Sequence, residues 1–251
     1  MTAGRLCRVQ GHRMALDRHD TLALRRYGAF EPLATALLPR LVKKCDVVID
    51  VGANIGYYTL LCARLVGNEG VIYAFEPEPE SYRLLERNAK LNGYRNIIPQ
   101  RKALGARCGT TPLWVNLGSN QGDHRIYDPR ESNRTRLEVE VVALDDMLPS
   151  NTTVKFVKID IQGAEPLAVR GMERVLARSR GAHLLTEFWP FGLRQAGLDP
   201  AVYLDHLADL GFNRLFEVDE AAGSVRAVES RSLLQRYCPS EDRFTNLLCV
   251  R

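Results

Sequence analysis

The stretch DVVIDVGANIGYYTLL, residues 46–61, constrains the fold more than any other part of the chain. A β-branched apolar run leads to Asp50, a turn with two glycines follows, and apolar residues at helical spacing continue from Ile55. In a doubly wound sheet, ligands bind beyond the carboxyl ends of the parallel strands. The pattern therefore predicts a ligand site at this turn. Gly52 and Gly56 suit a tight turn and close helix packing there.

The rest of the chain continues the alternation of strands and helices. Helical spacing is found over 31–44, 55–66, 80–92, 164–177 and 200–210. Seven strands are predicted, over 47–51, 71–76, 96–104, 154–160, 183–188, 212–219 and 243–250. Strands separated by helices of this length imply a parallel sheet covered on both faces. We therefore expect a doubly wound α/β fold with a mostly parallel seven-stranded sheet. The last two strands lack a helical crossover, so an antiparallel edge pair is expected there.

Two segments interrupt this alternation. Residues 1–30 are expected to form a small hairpin or cap, which leaves one large domain over residues 31–251. Residues 105–145 hold a polar, arginine-rich insertion that is long for a connection. Long loops in compact domains tend to be functional or disordered.

Composition excludes several classes of protein. The net charge of +4 is mild, and the 34 basic and 30 acidic side chains are interspersed, so no nucleic-acid partner is predicted. Arginine clusters over 18–26 and 123–136 fit either a solvated face or an anionic substrate or partner. No apolar run approaches a membrane span or a signal-peptide core, so a cytoplasmic protein is expected. The six cysteines form no CxxC pair, so no metal site is predicted.

The glycine turn departs from the pattern of a dinucleotide site. That pattern needs a second glycine that lets the pyrophosphate approach the backbone, and this chain has Asn54 nearby and a carboxylate at Asp50. A cationic ligand with a polar tail fits better than a diphosphate. Glu76 follows Gly52 by 24 residues, close to the spacing of an acid that binds ribose hydroxyls. These features predict a nucleoside-containing ligand; the alternative is that Asp50 and Glu76 only cap loops.

At this point the chain resembles the S-adenosylmethionine site of a class I methyltransferase, and in particular of the FkbM family. The resemblance extends from about residue 46 to 190 and is carried by four segments, at 50–93, 101–104, 139–148 and 157–172. It implies a Rossmann-like fold with S-adenosyl-L-methionine as cofactor and S-adenosyl-L-homocysteine as product. It also implies that the methionine end lies against Asp50, Gly52, Asn54 and Gly56, the ribose against Glu76, and the adenine near the chain at Ala103.

A second group of polar residues follows the strand at 154–160. Asp160 is expected to face the same crevice as Asp50, where its carboxylate would stabilise the cationic sulfur and orient the acceptor. Glu165 stands in the first turn of the next helix, where a helix-terminal charge is the alternative to a functional role. Gln162 replaces a glutamate that many FkbM-like sequences carry, and no catalytic role is expected for it.

The acceptor side is predicted from the insertion and from the strand at 183–188. An alcohol is a poor nucleophile until it loses its proton, so a general base is expected, and His124 is the candidate. The alternative is a solvated loop histidine. Asp123 would orient His124, and Arg125 would bind a carboxylate or phosphate of the acceptor. Glu187 and Trp189 would line the acceptor pocket, although Trp189 fits core packing equally well.

These observations predict an S-adenosylmethionine-dependent methyltransferase that methylates a hydroxyl of a sugar or natural-product acceptor. The preference for oxygen comes from the resemblance alone, and nitrogen or carboxylate acceptors stay open. Two alternatives are a nucleotide-dependent oxidoreductase and a non-catalytic module that keeps the cofactor-binding fold. The sequence does not determine the oligomeric state.

Overall fold

The computed structural model describes residues 6–251, so residues 1–5 of the predicted cap lie outside the described residues. The chain begins with an antiparallel hairpin of β1 (Leu6–Val9) and β2 (His12–Ala15). Two helices follow, α1 (Leu24–Tyr27) and α2 (Pro32–Leu41). The predicted hairpin is therefore present, and the boundary between a cap and a main domain at residue 30 stays a prediction.

A large sheet forms the centre of the molecule. Its parallel part consists of β3 (Val47–Val51), β4 (Val71–Phe75), β5 (Ile97–Gln100), β9 (Phe156–Ile159) and β10 (His183–Phe188). Its other strands are β11 (Arg214–Asp219), β12 (Ser224–Val228) and β13 (Thr245–Val250). The strand order is β12-β11-β13-β10-β9-β3-β4-β5. The doubly wound α/β fold predicted from the sequence is confirmed.

The sheet has eight strands, one more than predicted. The additional strand, β12, pairs antiparallel with β11 at the edge of the sheet. Its side chains are mostly exposed, so it lacks the apolar alternation by which the other strands are recognised. The antiparallel pair of β11 and β13 is as expected, but β13 lies inside the sheet, between β10 and β11. Its five buried residues in succession are typical of an interior strand.

Helices cover both faces of the sheet. They are α3 (Tyr57–Val66), α4 (Pro79–Leu91), α5 (Leu144–Met147), α6 (Glu165–Arg170), α7 (Glu173–Arg178), α8 (Pro190–Gln195), α9 (Pro200–Asp209) and α10 (Ser230–Arg236). Val48 and Ile49 are neighbours on β3 yet belong to different clusters of buried apolar side chains. Because successive side chains of a strand point to opposite faces, the two clusters are the cores on either side of the sheet.

Two predicted elements are divided in the structure. The strand expected over 96–104 ends at Gln100, and β6 (Ala103–Leu104) pairs with the insertion instead. The helix expected over 164–177 is interrupted at Gly171, where a Cβ atom would lie 2.0 Å from the carbonyl oxygen of Gly105. The close approach of this distant backbone explains the break, and nothing local in the sequence signals it.

The insertion is a hairpin rather than a disordered loop. Strands β7 (Gly109–Asn116) and β8 (Arg134–Val142) pair antiparallel and form a three-stranded sheet with β6. A small apolar cluster that includes Leu113 and Val139 stabilises this sheet. The connection between β7 and β8, residues 117–133, extends over the carboxyl ends of the large sheet.

A buried asparagine joins the N-terminal hairpin to the rest of the fold. The side chain of Asn88, on α4, accepts from the N–H of Ala15 (2.6 Å) and donates to the Ala15 carbonyl (3.0 Å). It also donates to the carbonyl of Ile55 in the glycine turn (2.8 Å). The hairpin is therefore fixed directly behind the predicted ligand site. Within residues 6–251, each helix is too short or too polar to cross a membrane.

Candidate active site

A cavity of about 710 Å³ lies at the carboxyl ends of β3, β4, β9 and β10. The insertion and the segment between β2 and α2 complete its walls. Of the residues predicted for the site, Gly56 lies behind the wall, at the start of α3. The cavity is lined by all the others: Asp50, Gly52, Asn54, Glu76, Ala103, Asp123, His124, Arg125, Asp160, Glu187 and Trp189.

Both glycines of the turn are required by close contacts. Gly52 has φ of +78°, and a Cβ atom there would lie 2.0 Å from the carbonyl oxygen of Asp160. Gly56 has φ of +90°, and its Cβ would lie 2.7 Å from Cδ1 of Leu85 on α4. The turn therefore packs between the end of β9 and α4, which brings the ends of β3 and β9 together.

Asn54 and Glu76 are joined through the backbone. Asn54 has φ of +49°, a conformation that asparagine tolerates, and its side chain accepts from the N–H of Ile55 (2.7 Å). One carboxylate oxygen of Glu76 accepts from the N–H of Asn54 (2.8 Å), and the other accepts from the N–H of Glu78 (2.9 Å). Burial raises the pKa of Glu76 to about 8. Each oxygen retains a further lone pair, so this carboxylate fits the paired hydroxyls of a ribose.

A buried lysine connects the acidic residues at the ends of β3 and β9. The ammonium of Lys158 lies 3.0 Å from Oδ2 of Asp160 and 4.7 Å from the centroid of the Tyr58 ring. Burial would lower the pKa of Lys158, but the carboxylates of Asp160, Glu31 and Asp50 outweigh burial and raise it. Lys158 therefore stays protonated, and it offsets part of the negative charge in the cavity.

Asp50 and Glu31, whose carboxylates act on this lysine, are each held by hydrogen bonds of their own. Oδ2 of Asp50 accepts from the hydroxyl of Thr59 (2.5 Å). Glu31 accepts from Tyr58 (2.6 Å) and from Asn246 (2.6 Å). Burial raises the pKa of both carboxyl groups.

Sequence reasoning did not identify Lys158, Tyr58 or Glu31. The lysine within the buried strand segment VKID was a usable signal, because lysine is rarely fully buried without a partner. No comparable signal marks Glu31.

Gln162 lies between two of the predicted carboxylates. Its side-chain amide donates to Oδ1 of Asp160 (2.9 Å) and, at a longer distance of 3.5 Å, to Oε2 of Glu187. Burial raises the pKa of Glu187 strongly, and the neighbouring Asp160 and Glu165 add to this effect. A glutamate at position 162 would have no hydrogen to donate to these carboxylates. The glutamine therefore positions acidic groups, although the sequence predicted no catalytic role for it.

Glu165 supports the turn that carries Asp160. Its side chain is fully buried, and Oε1 accepts from the N–H groups of Ile161 (3.0 Å) and Gly163 (3.1 Å). Burial raises its pKa to about 7. These contacts favour the structural interpretation of Glu165 over a direct functional role.

His124 projects from the insertion and has one hydrogen-bond partner. Its Nδ1 accepts from the backbone N–H of Asn116 (3.2 Å), and Nε2 is buried with no partner in the described part of the chain. Burial lowers the pKa of His124, so the imidazole is neutral near pH 7. In a neutral imidazole whose Nδ1 accepts, the hydrogen is on Nε2. In this arrangement the Nε2 of His124 carries a hydrogen that lacks an acceptor among the described residues.

Arg125 is already occupied by partners from the protein. Its guanidinium makes two contacts with Asp123 (2.6 and 3.1 Å) and lies 5.0 Å from the centroid of the Trp189 ring. Arg134 also binds Asp123 (2.5 Å), so both oxygens of Asp123 face arginines rather than His124. The prediction that Asp123 orients His124 is therefore wrong, because the arginines compete for that carboxylate. Asp123 thus takes two of the five N–H donors of Arg125, and an acceptor anion would compete with Asp123 for this guanidinium.

The remaining wall is formed by Trp189, which combines the two predicted roles. It is buried, yet it lines the cavity, and its indole N–H donates to Oδ1 of Asp242 (2.8 Å). Across residues 6–251, no three His, Cys, Asp or Glu side chains are grouped so as to hold a metal ion.

The fold is that of the Rossmann-like methyltransferases, and the cavity lies where that class binds its cofactor, S-adenosyl-L-methionine. The model of the methyltransferase FkbM domain matches residues 50–213, which is more than half of the chain. The chain therefore belongs to the FkbM methyltransferase family.

Two methyltransferases from other organisms are similar to part of the chain. The hexuronic acid methyltransferase AglP of Haloferax volcanii is 28% identical over 134 residues, which are 52% of this chain and 52% of that protein. The methyltransferase sdnD of Sordaria araneosa is 28% identical over 181 residues, 59% of this chain and 68% of that protein. The match to AglP thus spans about half the length of that relative.

Solved structures agree with the fold. A putative rRNA methylase from Clostridium thermocellum is similar with a TM-score of 0.50 and 11% identity, and the similarity covers 88% of this chain and 93% of that chain. At this level of identity the likeness shows the fold alone.

Proposed function

We propose that this chain transfers a methyl group from S-adenosyl-L-methionine to a hydroxyl oxygen of a small sugar or natural-product acceptor. The observation that carries the proposal is the shape of the cavity. Glu76 follows β4 and the glycine turn follows β3, Asp160 adjoins the turn at the end of β9, and Glu187 and Trp189 lie at the end of β10, one strand further along the sheet. A cofactor and a small acceptor can therefore occupy adjoining parts of one space.

The cofactor end would be formed by residues of the three adjacent strand ends and of β6. When bound, the cofactor supplies an electrophilic methyl group on a positively charged sulfur. The backbone at Gly52 and Gly56 keeps the turn close to β9 and α4, and Glu76 would accept hydrogen bonds from ribose hydroxyls. The full proposed set is Asp50, Gly52, Asn54, Gly56, Glu76, Ala103 and Asp160.

The proton of the acceptor hydroxyl must leave during the transfer, so a proton acceptor is needed at this end. Asp160, whose carboxylate lies 3.0 Å from the ammonium of Lys158, is the first candidate. His124 is the second candidate. To act as a base through Nε2 it must adopt the other neutral tautomer, in which Nδ1 carries hydrogen and gives up its bond from Asn116.

The acceptor class is supported by the residues at this end and by one relative. Asp123, Arg125, Glu187 and Trp189 would surround the acceptor, and aromatic walls with a few polar groups are typical of small-molecule sites. AglP, named as a hexuronic acid methyltransferase, has a sugar-derived acceptor by that name. We propose a small-molecule acceptor rather than a nucleic acid, and the cytoplasm as the site of action.

The proposal is tested by methyl transfer from cofactor with a deuterated methyl group to a panel of hydroxylated metabolites. We expect a mass gain of one labelled methyl group, located on oxygen by NMR. Transfer to nitrogen or carbon would contradict the O-methyl assignment. Binding of S-adenosyl-L-homocysteine without transfer to any acceptor would favour a non-catalytic module. A thermal shift with NAD but not with S-adenosyl-L-homocysteine would favour an oxidoreductase.

A further inference from the structure

The charge of the cavity bears on the chemistry of the acceptor. We infer that the acceptor is an uncharged polyhydroxy compound, and that this site discriminates against acceptors that carry a carboxylate or phosphate. The inference rests on the proposed function, because it concerns the acceptor end of the same cavity.

Acidic side chains dominate the cavity wall. Three lysine and arginine side chains line it, against eight aspartates and glutamates. Three of the acids belong to the proposed cofactor set, and the other five are Asp20, Glu31, Asp123, Glu187 and Asp242. Uptake of protons by the most buried carboxyl groups reduces this negative charge, but it creates no positive charge. A negatively charged acceptor would therefore enter a region whose fixed charges oppose it.

All three cations in the wall already have a carboxylate partner. The nitrogen–oxygen distances are 2.6, 2.6 and 3.0 Å for Lys102–Glu140, Arg125–Asp123 and Lys158–Asp160. The first pair is partly exposed and the other two are mostly buried. An anion inside the cavity would have to share Arg125 or Lys158 with its partner, and the breaking of either pair would leave a buried carboxylate without compensation, which is strongly unfavourable.

Glu187, in contrast, has capacity for a hydrogen-bond donor. Its side chain lines the cavity although the residue is only 7% exposed. Its carboxylate receives one long hydrogen bond, 3.5 Å from Gln162 to Oε2, and Oε1 receives none from the described residues. Oε1 is not among the buried side-chain atoms that lack a partner, so it is open to the cavity, where an acceptor hydroxyl can donate to it.

Trp189 adds a fixed apolar surface beside this carboxylate. Its indole is held on one edge by Asp242 at 2.8 Å, and the guanidinium of Arg125 lies 5.0 Å from its centroid. A rigid aromatic face beside an open hydrogen-bond acceptor suits a ring compound with hydroxyl groups. AglP is named as a methyltransferase of a hexuronic acid, which is an anion at neutral pH. The inference therefore predicts that this chain and AglP prefer acceptors of different charge.

The experiment uses three probes on one scaffold, the methyl glycosides of a hexose, of the matching hexuronamide and of the hexuronate. The hexuronamide and the hexuronate have nearly the same shape and differ in charge. Binding to protein saturated with S-adenosyl-L-homocysteine is measured by saturation-transfer NMR and calorimetry, and methyl transfer is measured separately. We expect the two neutral probes to bind and to be methylated, and the hexuronate to bind about tenfold more weakly or worse.

A charge-neutral variant tests whether Glu187 contributes to this discrimination. Glu187→Gln keeps the shape of the side chain but cannot ionise. Because burial raises the pKa of Glu187, we expect the ratio between hexuronamide and hexuronate affinity to rise less with pH in Glu187→Gln than in the wild type. Glu80→Gln is the matched control, because Glu80 lies on the surface of α4 and pairs with Arg83 there. In Glu80→Gln, the ratio between hexuronamide and hexuronate affinity should equal that of the wild type. If Glu187→Gln does not fold, the ratio of the two affinities in the wild-type protein still tests whether the site discriminates against anionic acceptors.

Two results would overturn the inference. One is hexuronate binding as tight as hexuronamide binding, and the other is the absence of binding by every neutral probe. A failure of the proposed function looks different, because the protein would then not bind S-adenosyl-L-homocysteine, or the methyl group would be recovered on nitrogen or carbon.

Discussion

The carboxylate of Glu76 accepts a hydrogen bond from the backbone N–H of Asn54, with 2.8 Å between oxygen and nitrogen. This bond joins the end of β4 to the glycine turn that follows β3. The orientation of the carboxylate that would hold the ribose therefore depends on the conformation of that turn. Asn54 is consequently important through its backbone, and its side chain stabilises the left-handed conformation that aims the N–H.

Cofactor affinity is expected to depend on pH through Glu76. Burial raises its pKa to about 8, so the free protein holds the protonated form below that pH. Because ribose hydroxyls donate to the ionised carboxylate, binding should release a proton. Affinity for S-adenosyl-L-homocysteine should then rise with pH towards 8, by about tenfold per unit at most, and level off above it. Calorimetry between pH 6 and 9 measures this.

Glu76→Gln should bind S-adenosyl-L-homocysteine more weakly and with an affinity that is flat across this pH range. Glu80→Gln serves as the control and should keep the wild-type profile. Unchanged affinity in Glu76→Gln would remove Glu76 from the ribose role.

Gly52 is expected to tolerate no side chain. In Gly52→Ala the new Cβ would lie 2.0 Å from the carbonyl oxygen of Asp160, so the turn or the end of β9 must move. We expect a loss of about 2 kcal/mol or more in the free energy of unfolding, together with weaker cofactor binding. Gly28→Ala is the control, because Gly28 has φ of +69° and no atoms within 4 Å of its Cβ position. It should lose about 1 kcal/mol, from backbone strain alone. Equal losses measured by urea unfolding would argue against the steric explanation.

Substitution of His124 separates its possible roles. As a general base, His124 contributes about 100-fold or more to the rate, so His124→Ala should lower kcat by that factor and leave cofactor affinity unchanged. Its pKa is lowered by burial, so the base would be available at neutral pH, and the rate should fall at acid pH below the ordinary histidine range. If His124 acts instead as a hydrogen-bond donor through Nε2, His124→Gln should retain much of the activity. The fall in rate at acid pH should then remain in this variant, because His124 is not the group that causes it.

His206→Gln is the matched control for these variants. His206 lies on α9 and pairs with Glu173 at 2.9 Å, away from the cavity wall. A fully active His124→Ala protein would exclude both roles.

Arg125 is expected to act as a positioning residue for Trp189 and for the insertion. Arg125→Lys keeps the charge but loses the planar contact with Trp189 and the two-point contact with Asp123. We expect the KM for the acceptor to rise by about tenfold, with kcat and cofactor affinity nearly unchanged. Arg136→Lys, at an exposed position of β8, is the control. A parallel loss of cofactor affinity in Arg125→Lys would show that the insertion acts on the cofactor end instead.

The main sheet was predictable because each of its buried strands is marked by a short apolar run in the sequence. The apolar runs that end at Asp50, Glu76 and Asp160 identify buried strands, and a parallel arrangement places their ends at one edge of the sheet. The prediction missed β12, whose exposed side chains carry no apolar pattern, and it joined α6 to α7. The break between α6 and α7 is decided by the backbone of Gly105, which is distant in sequence, whereas β12 pairs with β11 directly before it and was missed only for lack of an apolar pattern.

Sequence alone determined the class of the fold, the edge of the sheet that holds the cavity, and eleven of the residues that line it. Tertiary structure decided the state of those residues. Glu31 meets Asn246 across 215 positions of the chain, Lys158 is surrounded by carboxylates, and Arg125 is bound by Asp123 instead of being open to an acceptor. The charge of a side chain, the tautomer of a histidine and the freedom of an arginine to bind a ligand depend on burial and on partners from distant segments. A local pattern of residues therefore does not predict them.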